Sequence, residues 1–323
     1  MLVIGIESSA HTFGVGICEG GKILANEKEM YPISTSGMIP GKVAETHIQN
    51  AALVIGRAMA KADVKFSELE GVGYTMGPGM GPCLQVGALS ARTIAHRLGI
   101  KIAAVNHCVA HAEITRNLAH MSDPIVVYVS GGNSQLLRLQ GNPRRYHVIG
   151  ETLDIGIGNM LDTFARGIRL DPAWGSTVEK KAMAGSYIEL PYTVKGMDFS
   201  FTGLLTKALE LANTESIEDL CYSIQETSFS MLCEAAERAM LLSGKDEICV
   251  AGGVAQNTRL REMLGKMAEG HGSRFAAAPN EFNADNGGMI AFVAERMLKK
   301  GYHTPIEDCT VKQRYRVNTV VVP

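Results

Sequence analysis

MLVIGIESSAHTFGVGICEGGKILANEK, residues 1–28, opens the chain on three short apolar segments separated by polar and glycine turns. Leu2–Ile6 is a continuous apolar run that ends at Glu7-Ser8-Ser9 and reads as a buried strand. Phe13–Cys18 alternates with glycine and reads as its neighbour, and Lys22–Lys28 as a third strand. Val43–Lys61 repeats apolar residues at helical spacing: Val43, Ile48, Ala51, Ala52, Ile55, Met59. Gly71–Thr75 is a strand that runs into the breaker cluster Gly77-Pro78-Gly79-Met80-Gly81-Pro82. A helix Leu84–Leu98, a strand Lys101–Val105 and a helix Val109–Ala119 follow. The order then starts again. Pro124–Ser130 ends at Gly131-Gly132, and Ser134–Leu139 and Tyr146–Ile149 complete a second three-stranded opening. After it come the helix Asn159–Arg169, the strand Glu247–Ala251, the helix Asn257–Glu269, the strand Arg274–Ala277 and the helix Asp285–Lys299. Two halves of the form βββαβαβα predict an α/β protein of two similar lobes with a cleft between them. The expected bounds are 1–120 and 121–300, with a polar, turn-rich insertion over about 170–216. The tail 301–323 has mixed charge and little helical period, and is expected to wrap the surface or lead into a partner.

The length of 323 residues fits about two domains, and 46% hydrophobic against 20% charged residues permits a large core. The formal net charge of −2, from 31 Lys+Arg and 33 Asp+Glu, excludes a uniformly polybasic nucleic-acid binder but not a local basic face. Aromatics at 6% argue against a stacking platform for single strands. The seven cysteines (18, 83, 108, 221, 233, 249 and 309) are odd in number, widely spaced and free of any CxxC, which disfavours both a disulfide framework and a thiolate zinc site. The N-terminus lacks a basic segment followed by an apolar run, and no stretch of about 18 apolar residues occurs. The expectation is a soluble, cytoplasmic protein.

Three glycine-bearing turns could meet a phosphate. Glu7-Ser8-Ser9-Ala10-His11-Thr12 and Ser130-Gly131-Gly132-Asn133-Ser134 occupy matching positions of the two halves, and Ala251-Gly252-Gly253-Val254-Ala255-Gln256-Asn257 leads into a helix. Glycine lets a ligand approach backbone N–H groups, and a helix N-terminus favours an anion. Each turn alone is equally a structural turn. Together they predict a nucleotide in the cleft, held without a Walker motif or a GxGxxG, since neither is present.

Asn106-His107-Cys108-Val109-Ala110-His111 places two imidazoles four residues apart, on one face of a helix. That pair either grips a metal ion or consists of a helix-entry residue and a surface residue. HExxH is absent, because Cys108 stands where the glutamate base would be, so a zincin-type protease is disfavoured. Asp285, ahead of the last helix, is either its N-cap or the carboxylate that completes a two-histidine site. Only the fold can decide which.

Seven motifs in register carry a resemblance: IGIESSAHTFGVGI, TMGPGMGPCLQVGALSAR, NHCVAHAEI, VYVSGGNSQ, LDTFARGI, AGGVAQNTRLREML and ADNGGMIA. Over nearly the whole chain they resemble the tRNA N6-adenosine threonylcarbamoyltransferase family, the TsaD proteins of bacteria and the Kae-type subunits of the archaeal and eukaryotic KEOPS complex. AHTFGVGI and the C-terminal VKQRYRVNTVVVP resemble the archaeal/eukaryotic branch. The resemblance implies the two-lobed fold of actin, sugar kinases and Hsp70. It implies transfer of a threonylcarbamoyl group from L-threonylcarbamoyl-adenylate to N6 of the adenosine 3′ of the anticodon, in tRNAs reading codons that begin with A, with release of AMP. It assigns His107, His111, Tyr128 and Asp285 to one metal ion, iron ahead of zinc. It assigns Tyr128, Val129, Ser130, Gly131, Gly132, Asp162, Gly175, Glu179 and Asn257 to the adenylate. It implies KEOPS-type partners, among them a small protein kinase (fused in some relatives) and a small dimerising subunit, which are expected to supply much of the grip on tRNA.

The stretch Pro172-Ala173-Trp174-Gly175-Ser176-Thr177-Val178-Glu179 departs from the family's PGGP-type loop: Trp174, the one tryptophan, stands where glycine is usual and Ser176 where proline is. It reads either as a packing change or as a bulkier wall on the adenine pocket. No general base is identified. The rival functions are a nucleotide-dependent kinase or ATPase of the same fold and a noncatalytic ATP-binding scaffold, with the glycoprotease reading disfavoured.

Overall fold

The structure, a computed structural model, describes residues 1–32 and 38–323. The chain forms two compact units: Met1–Ile114 with Gln140–Tyr146 and Ala284–Pro323, and Thr115–Leu139 with His147–Asn283.

In the first unit β1 (Leu2–Glu7), β2 (Thr12–Glu19) and β3 (Lys22–Met30) form an antiparallel meander. After α1 (Pro40–Ala62) come β4 (Gly71–Gly77), α2 (Gly81–Leu98), β5 (Lys101–Asn106) and α3 (His107–Leu118). β4 pairs parallel to β1 and β5 parallel to β4, giving the order β3-β2-β1-β4-β5. β1 is buried on both faces, which is why it shows a continuous apolar run rather than alternation. Ile4, Ile6, Val15, Val54, Val72 and Tyr74 lie in its core, each large apolar side chain contributing about 1.5–3 kcal/mol on burial.

The second unit repeats the meander with β6 (Ile125–Val129), β7 (Ser134–Gln140) and β8 (Arg145–Glu151). Then follow α4 (Ile157–Gly167), α5 (Gly175–Ala182), the short hairpin β9 (Val194–Lys195) and β10 (Asp198–Phe199), α6 (Thr202–Glu210), α7 (Ile217–Ser243), β11 (Glu247–Ala251), α8 (Thr258–Gly270), β12 (Arg274–Ala277) and α9 (Asn280–Asn283). The sheet order is β12-β11-β6-β7-β8, with β11 parallel to both β6 and β12. The stretch expected as an irregular insertion carries α5, the β9–β10 hairpin and α6. The long helix α7 is absent from the sequence reading. Buried Ser223, Gln225, Thr227 and Ser228 interrupt its apolar stripe, because α7 is covered on most sides.

The last helix, α10 (Gly287–Lys299), corrects the expected boundaries. The sequence reading puts it in the second lobe and sets the tail apart as a third segment, whereas both belong to the first unit. The cause is glycine. α10 packs on β1, β2 and β4, and Gly5, Gly14 and Gly16 let its first turn approach the sheet backbone to backbone. A Cβ on Gly16 would collide with Gly288, and one on Gly287 with Val15 and Gly16.

The tail binds the β4 and β5 side of the same sheet. Thr304 donates its N–H to the Ile102 carbonyl (2.8 Å), Lys312 its N–H to Met76 (2.7 Å), and Gly79 its N–H to Gln313 (3.2 Å). Asn106 Nδ2 donates to the Tyr315 carbonyl (2.9 Å), and Val322 N–H reaches Arg144 (2.8 Å). No helix among the described residues is long and apolar enough to cross a membrane.

Gly16→Ala is expected to lower the unfolding free energy by about 1–3 kcal/mol, the usual range for overpacking. Gly56→Ala, in α1 where a Cβ meets nothing within 4 Å, should raise it by about 0.5–1 kcal/mol. Urea denaturation followed by circular dichroism checks the pair, and equal effects at the two positions would contradict the close helix–sheet contact.

Candidate metal centre and a second polar network

β5 ends at Asn106, whose Oδ1 accepts the Val109 N–H (3.1 Å). This cap starts α3 at His107, two residues earlier than the apolar pattern predicts. His107 and His111 therefore stand one turn apart, with ring centroids at 4.7 Å and planes at 84°. Asn286, not Asp285, caps α10, through Oδ1 and the Met289 N–H (2.9 Å). That excludes the capping role for Asp285 and leaves its carboxylate to face the histidines, with Oδ1 at 3.4 Å from His107 Nε2 and 3.3 Å from His111 Nε2.

One donor atom from each of His107, His111 and Asp285 lies within 4.8 Å of the others. Donors about 2.1 Å from one ion stand about 3–3.5 Å apart; Asp285 Oδ1 meets that spacing from both imidazoles, and the wider separation within the 4.8 Å cluster closes on binding a single transition-metal ion. Two imidazoles and a carboxylate suit iron or zinc better than magnesium. The cysteines offer no rival ligand set. Six are buried and Cys233 is half-buried, and burial pushes Cys83 up to about 11 and Cys221 and Cys233 to about 12.

A residue that sequence reasoning missed orients this set. Glu7, at the end of β1, is fully buried; its Oε2 lies 2.9 Å from His107 Nδ1 and accepts the Thr75 hydroxyl (2.7 Å). Its Oε1 accepts the Ser9 N–H (2.5 Å). A carboxylate on the far ring nitrogen fixes the orientation of a metal-binding imidazole and raises its basicity. The signal is in the sequence: an acid closing an apolar strand is either buried and paired or at a loop, and the Glu7–Thr12 turn favours the second.

The electrostatics follow from this pairing. Burial alone would depress His107, but Glu7 and Asp285 outweigh it and raise the imidazole to about 9. Burial would raise both carboxyls, yet His107 holds Glu7 below its ordinary value and the two histidines hold Asp285 well below the carboxylate range. Burial lowers His111, which is neutral at pH 7.

The remaining expected site residues lie in the second unit. Tyr128 and Val129 are fully buried on β6, with a Tyr128 ring carbon 3.3 Å from where a Cβ on Gly252 would sit. Gly252 has φ +98°, a conformation that favours glycine. The Ser130–Ser134 turn caps α4, since the Ser130 and Gly131 carbonyls accept the N–H groups of Gly158 (3.2 Å) and Asn159 (3.0 Å). Gly131 and Gly132 are exposed. Asp162 Oδ1 accepts the Gly175 N–H (2.8 Å) and so holds the start of α5 against α4. Trp174, half-buried, begins α5 by accepting the Thr177 and Val178 N–H groups. Glu179 Oε1 accepts the Thr258 N–H (2.7 Å) and hydroxyl (2.6 Å), joining α5 to the start of α8. Asn257 uses both ends of its amide: Oδ1 caps α8 at Leu260 N–H, and Nδ2 donates to Gln225. Gly131, Asp162, Gly175, Glu179 and Asn257 thus make contacts at the starts of α4, α5 and α8, all within one unit.

Metal affinity is expected to rise about tenfold per pH unit up to about pH 9 and to level above it. An ion must displace the His107 proton below that value, while Glu7, Asp285 and His111 already hold the form that binds. Calorimetry in two buffers of different ionisation enthalpy should register release of about one proton at pH 7.5. Glu7→Gln should weaken metal binding about 10–100-fold, measured by competition with a chelator.

The family model described as TsaD, tRNA N6-adenosine threonylcarbamoyltransferase, matches residues 21–292. The tRNA N6-adenosine threonylcarbamoyltransferase of Thermococcus sibiricus is 45% identical over 325 residues, covering 100% of this chain and 99% of that protein. The probable bifunctional tRNA threonylcarbamoyladenosine biosynthesis protein of Thermoplasma acidophilum is 46% identical over 100% of this chain but only 61% of its own length. Among solved structures, HypF of T. kodakarensis superposes with TM-score 0.65 at 17% identity over 96% of this chain and 49% of that one. Component A of the (R)-2-hydroxyglutaryl-CoA dehydratase of Acidaminococcus fermentans gives 0.56 at 14%, over 93% of this chain and 99% of that one. The two structures speak to the two-lobed α/β fold alone. The end-to-end identity with curated relatives goes further, and the chain belongs to the tRNA N6-adenosine threonylcarbamoyltransferase family.

Proposed function

We propose that this transferase, which makes N6-threonylcarbamoyladenosine in tRNA, takes its acyl group from L-threonylcarbamoyl-adenylate and holds iron at His107, His111 and Asp285, with Tyr128 as a further ligand. The observation that carries the metal reading is the convergence of the three donors, with Glu7 behind His107. Bound there, a metal ion supplies a Lewis acid and an orienting point for the threonyl moiety. Val129, Ser130, Gly131 and Gly132 would contact the adenylate. Asp162, Gly175 and Glu179 would hold its nucleoside, with Asn257 as part of the wall; their contacts at helix starts in the second unit support this. Because both ends of the Asn257 amide are engaged, its contribution would be to fix α8 rather than to donate a free hydrogen bond.

In the reaction the N6 amine bonds to the carbamoyl carbon, the bond from that carbon to the phosphate oxygen breaks, and N6 loses a proton. The adenylate is a mixed anhydride, so AMP leaves readily. The exocyclic amine is weakly nucleophilic, and placing it against the carbonyl is therefore the larger share of the task. Partners of the KEOPS type, in the cytoplasm, would complete the working assembly. Two features support a protein partner: the bifunctional relative continues beyond the matched region, and Ile48, Leu53 and Leu89 are exposed on α1 and α2.

The test is nucleoside mass spectrometry of unmodified tRNA incubated with threonine, bicarbonate, ATP, an adenylate-forming enzyme, this chain and its partners. Threonylcarbamoyladenosine is expected, and its absence where a family control succeeds would count against the reading. His107→Ala and His111→Ala should abolish metal content and product together. Transfer that persists without metal would remove the metal from the reaction. Trp174→Gly should shift adenylate affinity several-fold in calorimetry, and unchanged binding would take Trp174 out of the nucleoside pocket.

A further inference from the structure

The chain as a whole is nearly neutral in charge balance, but its cations are not evenly spread. From Cys309 to Pro323 the tail carries Lys312, Arg314 and Arg316 and no acid, and the turn Gly141–Tyr146 carries Arg144 and Arg145 and no acid. Both segments belong to the first unit, and the Val322 N–H bond to the Arg144 carbonyl (2.8 Å) joins them.

The tail is a fixed strap rather than a loose end. Val311 and Tyr315 pack on the first core, and Val317, Val320 and Val322 are buried, while Lys312, Arg314 and Arg316 are exposed. Backbone bonds to Met76 and Gly79 and the Asn106 amide bond to Tyr315 hold it on both sides of Lys312 and Arg314. Among the described residues, Lys312, Arg314, Arg144 and Arg145 have no carboxylate within ion-pair distance. By contrast Arg57 and Lys61, at the β3 side, pair with Glu29 and Glu27, and Lys299 with Glu295. Cations left without counter-charges on two linked segments are tolerable where a polyanion binds. The strap is also close to the chemistry. Asn106, which takes its Tyr315 carbonyl, is the cap of the metal helix and precedes His107.

We infer that this strap, with the Arg144–Arg145 turn, is the surface on which the chain grips the sugar–phosphate backbone of its tRNA. The inference rests on tRNA being the substrate. It places on this chain a share of the grip that its overall charge would assign to partners.

The test is fluorescence anisotropy of a labelled tRNA transcript with the isolated full chain at 50, 100 and 200 mM KCl. The variants are Arg144→Gln/Arg145→Gln/Lys312→Gln/Arg314→Gln and a charge-matched control on β3, α1 and the loop after it, Lys22→Gln/Lys42→Gln/Lys61→Gln/Lys65→Gln. Loss of four phosphate contacts should weaken binding at least tenfold at 100 mM. It should lower the slope of log affinity against log salt by about one per cation removed, or about three to four in all. The control should stay within about twofold of wild type. Arg144→Gln/Arg145→Gln alone, on an exposed turn, should give about half the loss of slope and covers the case in which the tail changes unfold the strap. An unchanged slope, equal losses in the control, or no measurable binding by wild type at 50 mM would overturn the inference. Displacement of tRNA by poly-glutamate at equal charge would reassign the surface to an acidic protein. Nucleoside mass spectrometry separates the two readings. If the strap variant modifies tRNA with an unchanged KM, the strap is wrong and the family function stands. If wild type binds through the strap yet modifies no tRNA, the function is wrong and the surface stands.

Discussion

The first turn of α10 lies directly on the backbone of β1 and β2, and the His107–His111–Asp285 cluster depends on that contact. His111 and Asp285 are 174 residues apart in sequence. Their donors meet because Gly5, Gly14, Gly16, Gly287 and Gly288 remove the side chains that would separate helix from sheet. The same contact explains why Asn286 caps the helix and Asp285 does not. With α10 pressed on the sheet, Gly288 N–H is bonded to Asn26 (3.1 Å) and the Asn286 amide turns in to the Met289 N–H, leaving Asp285 on the histidine side. A site assembled from such distant segments forms only when the whole first unit has formed, a consequence of its long loop closure.

Before any ion binds, the centre already contains an electrostatic balance. Two carboxylates, the buried Glu7 and the half-buried Asp285, flank one protonated imidazole at neutral pH, and His111 remains neutral because its burial opposes a second positive charge. An ion that displaces the His107 proton inherits its counter-charges. Glu7 also touches Thr75 at β4 and the Ser9 backbone, so the orientation of His107 is set by β1, β4 and the turn after β1. The strap adds a further constraint through Asn106, whose Nδ2 donates to the Tyr315 carbonyl.

Local periodicity made the two meanders, α2 and α8 legible in the sequence, because each buries one clear face or a continuous apolar run. His107 and His111 were legible from spacing. Asp285 was ambiguous, since Asp and Asn both cap helices and the two stand side by side. Glu7 was not legible as a partner of His107, because its role depends on a long-range contact across 100 residues. α7 was missed because a helix covered on most sides loses its amphipathic stripe. The allegiance of α10 is not legible because repeat order in the sequence differs from order in space, and the glycines that override it look like ordinary turn residues. In the second unit, Asp162, Glu179 and Asn257 all turned out to tie helix starts together. That is the ordinary structural role of such residues.

Burial of most of the thiols bears on which ligands the folded chain offers an ion. A fold with seven cysteines would ordinarily compete with its own imidazole site for soft ions such as copper(I) or cadmium, which prefer anionic sulfur. Here burial holds Cys83, Cys221 and Cys233 in the thiol form far above neutral pH, and Cys18 donates its S–H to Glu295. Anionic sulfur is therefore scarce at these positions while the chain stays folded, and the pool of competing ligands opens only on unfolding. Shielding of these thiols is thus a property of the intact core rather than of the His107–His111–Asp285 cluster.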